Sequence, residues 1–468
     1  MSKKPNIILF VTDDHGQWAN SSYGNADVHS PSLDFLADNG AVIENAFTPT
    51  PVCSPSRACI YTGRISSQHG VHDYLGSGGN SGIEDFPWLA EETLLSQILH
   101  DKGYATALCG KWHLANESHP QAGFDTTFTI GTEYPVPHYG NHKYCENGNP
   151  TTISGYITDT ITDRSVRFIH DNSSKESSPF FLIVGYTATH HPWEGLPERL
   201  VNMYRKKNLD TSFQNGSYPF GIQNLESTFP THNNPREALA QYYAAVSHID
   251  EGVGRIVDEI YSSQLEKDTL IIYTSDHGLN CGHHGIWGKG NGTLPLNMVE
   301  ESIRVPLIFS FPGRITFPQR MSELVDHTDV FQTILDFAGV ELNQQSQKEG
   351  NYPGKSFFHK LVNDTPLTSW RKYQFCEYGD VRMIRDHRFK LTRRYPDGPC
   401  EFFDLILDKG EIVDLFEQEE YQGIIIKMTN AMDSFYSTYQ DEINNGLNVK
   451  KLPPHNSGES WRDPRNLH

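Results

Sequence analysis

The chain has 468 residues, 37 % of them hydrophobic and 21 % charged; that is ordinary for a globular enzyme and too long for one small core. Its formal net charge of −20 argues against nucleic acid and membranes as partners, since nucleic acid and anionic membrane surfaces both call for basic patches. Seven cysteines without regular spacing imply no disulfide framework.

Residues 1–5 lead straight into an apolar run, 6–12, too short for a signal peptide and without a small-residue cleavage site. With no transmembrane span in sight, a cytoplasmic location is expected, or a periplasmic or secreted one if a signal segment has been removed. Residues 6–12 read as a strand buried in a parallel sheet. A helix is expected over 31–39. Next comes the run Cys53-Ser54-Pro55-Ser56-Arg57-Ala58-Cys59-Ile60-Tyr61-Thr62-Gly63-Arg64. Ser54 is a good N-cap and Pro55 a good first helical residue. Cys53 is therefore expected just before a helix N-terminus, where N–H groups and the dipole attract an anion.

Further strands are expected at 105–109, 180–186, 270–274 and 305–311, and helices at 91–102, 157–170, 235–262 and 326–339. Two long insertions, 132–150 and 193–235, are rich in aromatics, Asn and His. Residues 344–355 read as a linker or long loop. Beyond it, 372–378, 381–394 and 401–407 read as neighbouring antiparallel strands with a turn at Pro396-Asp397-Gly398, followed by a helix over 421–440 and a polar, extended tail over 453–468. The pattern predicts an α/β fold: a large mixed, mostly parallel sheet sandwiched by helices, plus a smaller C-terminal antiparallel-sheet subdomain with a helix. The boundary is placed between a catalytic domain, 1–362, and a subdomain, 363–468, that contributes to the substrate cleft.

In an open α/β sheet, ligands bind beyond the carboxyl ends of the strands. The unusual polar residues fall there repeatedly: Asp13-Asp14 after the first strand, Gly110-Lys111-Trp112-His113, Thr189-His190-His191-Pro192, and Ser275-Asp276-His277-Gly278 with Lys289 soon after. Three carboxylates share a small site only if a cation compensates them. Asp13, Asp14 and Asp276 offer oxygen ligands that suit Ca²⁺ or Mg²⁺. His277 adds a nitrogen, which leaves room for Mn²⁺ or Zn²⁺. Lys111, Lys289 and Arg57 supply local positive charge for an anionic substrate. His113 and His190 are the natural general acid/base candidates.

These fragments together resemble the Cys-type sulfatases of the alkaline-phosphatase superfamily, over nearly the whole chain. The Cys53 run matches the signature in which that Cys is converted to formylglycine. The resemblance implies Asp13, Asp14, Cys53 as formylglycine, Asp276 and His277 as ligands of one Ca²⁺, with Mg²⁺ or Mn²⁺ as alternatives. The family's Gly-Lys-Trp-His, His-x-Pro and Gly-Lys-Gly elements match Lys111 and His113, His190, and Lys289. The run Phe402-Phe403-Asp404-Leu405, then Asp408-Lys409-Gly410-Glu411 and Asp414-Leu415, resembles a stretch of the family's small antiparallel domain. Lys409 and Asp414 depart from its usual Pro and Asn, and His277 from the usual Asn.

The implied activity is hydrolysis of a sulfate ester, with a sulfated carbohydrate as the expected substrate and a formylglycine-generating or anaerobic maturation enzyme as a partner. In the implied mechanism, a hydroxyl of the aldehyde hydrate attacks sulfur in line while Lys111, Lys289 and the cation neutralise the sulfuryl oxygens. His190, with Lys289, protonates the leaving alcohol. His113 accepts a proton as the aldehyde reforms, and Arg57 holds the hydrate and metal shell.

Three rivals stand beside this reading. One is a phosphonate monoester or phosphodiester hydrolase on the same fold. A second is a two-zinc phosphatase, which needs a Ser or Thr nucleophile; here His327 is more simply a helix-start residue. The third is an inactive binding protein, against which the intact set of site residues argues. Trp112, Tyr134, His138, Trp193, Arg382, Arg385 and His387 are specificity candidates by position and type.

Overall fold

Seven consecutive buried residues, Asn6–Thr12, form strand β1 of a large sheet. Side chains alternate along it, so Ile8 and Phe10 join one apolar layer and Ile7, Leu9 and Val11 the other. A strand covered on both faces must be apolar throughout, and this one is. The computed structural model describes residues 4–76, 86–115, 117, 119, 121–130, 136–173, 178–209, 222–223, 234–315, 318–342 and 351–463.

The other strands of this sheet are β2 (Gly40–Phe47), β3 (Ala105–Gly110), β4 (Thr126–Ile130), β5 (Tyr139–Glu146), β6 (Asn149–Tyr156), β7 (Phe180–Gly185), β8 (Thr269–Ser275), β9 (Leu307–Ser310) and β10 (Gln319–Asp326). Their order is β10-β2-β9-β8-β1-β7-β3-β4-β5-β6. β1 pairs in parallel with β7 and β8, and β3 with β7 and β4. β9 runs antiparallel to both β8 and β2, and β5 and β6 form an antiparallel margin.

Helices cover both faces. On one lie α1 (Pro31–Asp38), α4 (Ile157–Ser173) and α5 (Pro235–Ser262), which bury Leu33, Ile161 and Ile249. On the other lie α2 (Cys53–Thr62), α3 (Leu95–Asp101) and α6 (His327–Ala338), which bury Ile60, Leu95 and Ile334. The long α5 is started by Asn234, whose side chain accepts from Glu237 N–H, with Pro235 in its first turn. A separate antiparallel sheet follows: β11 (Gln374–Tyr378), β12 (Val381–Arg385), β13 (Phe389–Arg394) and β14 (Glu401–Asp404). Helix α7 (Gln422–Tyr439) packs Met428 and Met432 against Ile384, Leu391 and Phe402 of this sheet. No helix among the described residues is long and apolar enough to cross a membrane.

Several expected elements change. The run 305–311 is a strand only over Leu307–Ser310, because Val305 N–H turns to Ala46 O. The helix expected from 91 begins at Leu95, after Gln97 Oε1 has accepted Leu94 N–H. The run 381–394 splits where the Asp386 carboxylate accepts the N–H groups of Arg388 and Phe389. The strand expected to 407 stops at Asp404, whose Oδ1 takes the N–H groups of Ile406 and Leu407. Ser460–Arg462 in the expected extended tail is a 3-10 turn. Strands β2, β4 and β10 were not expected from the sequence, nor was the β5–β6 hairpin that takes up residues 139–150 of the first insertion, whose residues 132–135 lie outside the described residues. The second insertion holds a helix at Glu198–Arg205, while residues 210–221 and 224–233 lie outside the described residues, as do 344–350 of the linker.

Candidate active site

Four adjacent strands, β8, β1, β7 and β3, deliver the polar residues from their carboxyl ends. Main-chain bonds just past the strands lock these ends together: Asp276 N–H to Thr12 O at 3.0 Å, Asp13 N–H to Ala188 O at 3.1 Å, and Lys111 N–H to Gly185 O at 2.7 Å. Gly110 makes the last of these possible. It has φ 112°, and a Cβ there would lie 2.0 Å from Gly185 O. Asp14 also sits in the left-handed region, φ 64°. Its carbonyl accepts from Tyr242 Oη at 2.8 Å and Thr189 Oγ1 at 2.9 Å. Tyr242 lies mid-helix in an apolar stretch and gave no signal in the sequence.

Cys53 faces these strand ends from the first turn of α2. Its Sγ lies 3.4 Å from Asp13 Oδ1, 3.3 Å from His277 Nε2 and 3.0 Å from Lys289 Nζ. The helix includes Cys53 itself, with Val52 at the N-cap and no side-chain cap. The capping role expected of Ser54 is not realised, because its hydroxyl accepts Leu75 N–H at 2.9 Å. Residue 53 is still at the helix N-terminus, where the partial positive charge remains.

The donor set suits one hard cation. His277 Nε2 lies 3.4 Å from Asp14 Oδ1, 3.5 Å from Asp276 Oδ1 and 4.0 Å from Asp13 Oδ1. One ligand atom from each of Asp13, Cys53, Asp276 and His277 lies within 4.8 Å of the others, and so does one from each of Asp13, Asp14, Cys53 and His190. His277 Nδ1 is 2.9 Å from Gly278 O. A carbonyl only accepts, so Nδ1 carries the proton and Nε2 turns a lone pair to the carboxylates, the tautomer a metal needs.

Lys111 Nζ pairs with Asp13 Oδ2, and Lys289 Nζ lies 2.8 Å from Asp14 Oδ1. Burial would raise the Asp13 pKa, but Lys111, His190, Lys289 and Arg57 hold it well below the usual range. For Asp276, burial, reinforced by the Asp13 charge, wins and raises it. Lys289 goes up despite burial because the Asp14 carboxylate, with Asp13 and Asp276 behind it, surrounds it. Burial, then Asp13, pushes the Cys53 thiol up to about 12. An unmodified thiol at this position is therefore protonated at neutral pH and a poor nucleophile.

His190 Nδ1 meets His191 O at 2.6 Å, which directs Nε2 toward Asp14 Oδ2, 4.0 Å away. Burial holds the His190 and His113 pKa values well below the ordinary histidine range. Thus Asp13, Asp14, Cys53, Arg57, Lys111, His190, Asp276, His277 and Lys289 converge, and His113 follows one residue beyond Trp112.

The specificity candidates separate differently. Trp112 is buried and stacks on Tyr61 at 5.0 Å. Arg382 is buried, donates to Gln440 and Asn445 and lies over Tyr436. Arg385 pairs with Glu300 over Phe47. These three are committed to packing: Tyr61 of α2 covers Trp112, Tyr436 of α7 covers Arg382, and Glu300 and Phe47 hold Arg385. His138 is buried, His387 is exposed in the turn before β13, and Tyr134 lies outside the described residues. Trp193 is partly exposed and donates to Thr189 O at 2.8 Å beside the His190 loop. Its ring lies 6.4 Å from Trp287, a neighbour the sequence did not single out.

A family model described as Sulfatase matches residues 5–340, and one described as N-sulphoglucosamine sulphohydrolase, C-terminal, matches residues 282–438. An N-acetylglucosamine-6-O-sulfatase of Bacteroides thetaiotaomicron is 26 % identical, the alignment spanning 94 % of this chain and 88 % of that protein. The human N-acetylglucosamine-6-sulfatase is also 26 % identical, over 86 % of this chain and 73 % of its own. Among solved structures, a protein in complex with its substrate D-glucosamine-2-N,6-O-disulfate superposes with a TM-score of 0.79 at 24 % identity, covering 97 % of this chain and 100 % of that one. The phosphonate monoester hydrolase of Agrobacterium radiobacter shares the fold at TM-score 0.74 and 18 % identity, covering 94 % of this chain and 97 % of its own.

Proposed function

Since the chain belongs to the sulfatase family and is a sulfuric ester hydrolase, we propose that it removes a sulfate from a sulfated saccharide, with 6-O-sulfated N-acetylglucosamine the first substrate to test. The observation that carries the reading is the buried ring of Asp13, Asp14, Asp276 and His277 around Cys53, with Lys289 3.0 Å from its sulfur. The two N-acetylglucosamine-6-sulfatases among the relatives support the sugar.

Asp13, Asp14, Asp276, His277 and residue 53 are the proposed ligands of one divalent ion, with Ca²⁺ the proposed metal because the donors are mostly carboxylate oxygens. Formylglycine at residue 53, once formed, would supply the nucleophilic oxygen that the thiol cannot, and a bound cation would compensate the carboxylates. Lys111 and Lys289 bind the non-bridging sulfate oxygens and offset the charge that builds up on them. His190 donates a proton from Nε2 to the leaving sugar oxygen. Burial keeps His190 neutral in the free site, and the negative charge of the ester beside it favours the protonated form that donates. His113 takes up the proton released when the site resets, and Arg57 fixes Asp276.

The test is a panel of defined sulfated saccharides alongside phosphate diester and phosphonate monoester substrates. Sulfate release from a 6-O-sulfated hexosamine is expected. Faster turnover of the phosphonate or diester would overturn the reading in favour of the other hydrolase class.

A further inference from the structure

His113 has φ 59°, in the left-handed region that a residue with a side chain occupies only when its surroundings impose it. Four residues on, Glu117 turns back, and its Oε1 accepts the His113 backbone N–H at 2.8 Å. Glu117 is itself anchored, since its carbonyl accepts Thr129 Oγ1 of β4 at 2.6 Å. Only 5 % of the residue is exposed. Its second carboxylate oxygen, Oε2, is buried and has no hydrogen-bond partner among the described residues. A buried carboxylate left half satisfied is expensive, and such groups persist where they serve the site.

We propose that Glu117 is a positioning residue for His113. By holding the backbone N–H of residue 113, it fixes the left-handed turn that follows Lys111-Trp112. That turn sets the direction in which the imidazole leaves the main chain. The proposal rests on the proton-accepting role given to His113 above. Glu117 acts through an acceptor oxygen, so a glutamine can take its place and an apolar side chain of equal length cannot.

The test compares Glu117→Gln, Glu117→Met, His113→Ala and the double variant His113→Ala/Glu117→Met in the full-length, matured enzyme. Glu117→Met is expected to lower kcat roughly 10- to 100-fold with KM nearly unchanged, as for a displaced catalytic group. Glu117→Gln should stay within about 3-fold of wild type. The double variant should be no slower than His113→Ala alone, since both changes remove one function. A crystal structure of Glu117→Met should show residue 113 outside the left-handed region. If Glu117→Met does not fold, Glu117→Ala gives the same reading. Wild-type kcat in Glu117→Met beside an impaired His113→Ala would overturn this proposal alone. Full activity in His113→Ala would overturn the role of His113 and this proposal with it. A double variant slower than His113→Ala by the full Glu117→Met factor would reduce Glu117 to a structural residue.

Discussion

Arg57 Nε donates to Asp276 Oδ2 at 2.9 Å, and neither side chain is exposed. The same guanidinium donates to Lys111 O at 3.0 Å and Thr12 O at 3.4 Å. One residue of α2 therefore ties together the ends of β1, β3 and β8. Its removal leaves the Asp276 charge buried without its partner, which costs about 3–5 kcal/mol. Arg57→Ala should show that loss in chemical denaturation of metal-free protein, and a smaller one once a divalent ion compensates Asp276. An unchanged midpoint in metal-free protein would mean that Arg57 does not hold the site.

Residue 53 should be the nucleophile precursor. Cys53→Ala is expected to abolish turnover with an unchanged circular dichroism spectrum. The peptide containing residue 53 of active enzyme should show the mass loss expected for an aldehyde. Protein made without a maturation enzyme should keep the thiol and be inactive, since burial keeps that thiol protonated. Full activity in Cys53→Ala would end the formylglycine reading.

One divalent ion per chain is expected, most tightly Ca²⁺. Asp14→Asn removes one charge from the ring and should weaken both metal affinity and kcat, with added metal restoring part of the activity. Elemental analysis reads the first outcome directly. Two tightly held zinc ions would point instead to phosphatase chemistry.

His190 should be the proton donor to the leaving group. His190→Ala should lose most on an alkyl or sugar sulfate, whose leaving alcohol has a high pKa. The loss should be smaller on nitrophenyl sulfate, whose leaving group scarcely needs protonation. His191 lies before Pro192 and supplies its carbonyl to His190 Nδ1, so His191→Ala should cost less on both substrates. Equal losses from His190→Ala on the two substrates would leave His190 as a sulfate-binding group only.

Burial pushes the Glu117 carboxyl up to about 7, against about 4.3 in an unfolded chain. The folded form then binds the proton more tightly. Its contribution to stability is complete below about pH 4 and is lost as pH rises through about 7. Glutamine does not titrate. Stability measured for Glu117→Gln minus that for wild type should therefore grow between about pH 5 and about pH 8, at most by roughly 1.4 kcal/mol per pH unit. A pH-independent difference would place the Glu117 pKa near its ordinary value.

Local chemistry made part of this protein legible from the chain alone. The run Asn6–Thr12 is a strand because every residue in it suits a two-sided core, and Pro235–Ser262 is a helix because its cap, first-turn proline and apolar periodicity agree. Asp13, Asp14, Lys111, His190, Asp276 and His277 could be placed together because each lies within a few residues of a strand's carboxyl end, and strands of one parallel group end on the same side. One local signal was missed. Asn147 and Gly148, with φ of 51° and 82°, form the tight turn of the β5–β6 hairpin in what read only as an insertion rich in aromatics, Asn and His.

Other features had no local signature and were decided by tertiary structure. The direction of β9 depends on which strands it meets, since an apolar run carries no sign of parallel or antiparallel pairing. Ser54 has the chemistry of a cap, but Leu75 N–H, brought near by the fold, takes its hydroxyl. Arg382 and Arg385 have the chemistry to grip an anion, but Gln440, Asn445 and Glu300 reach them first. Each of these choices is a competition between partners distant in sequence. Only the packed chain determines which partner arrives within bonding distance.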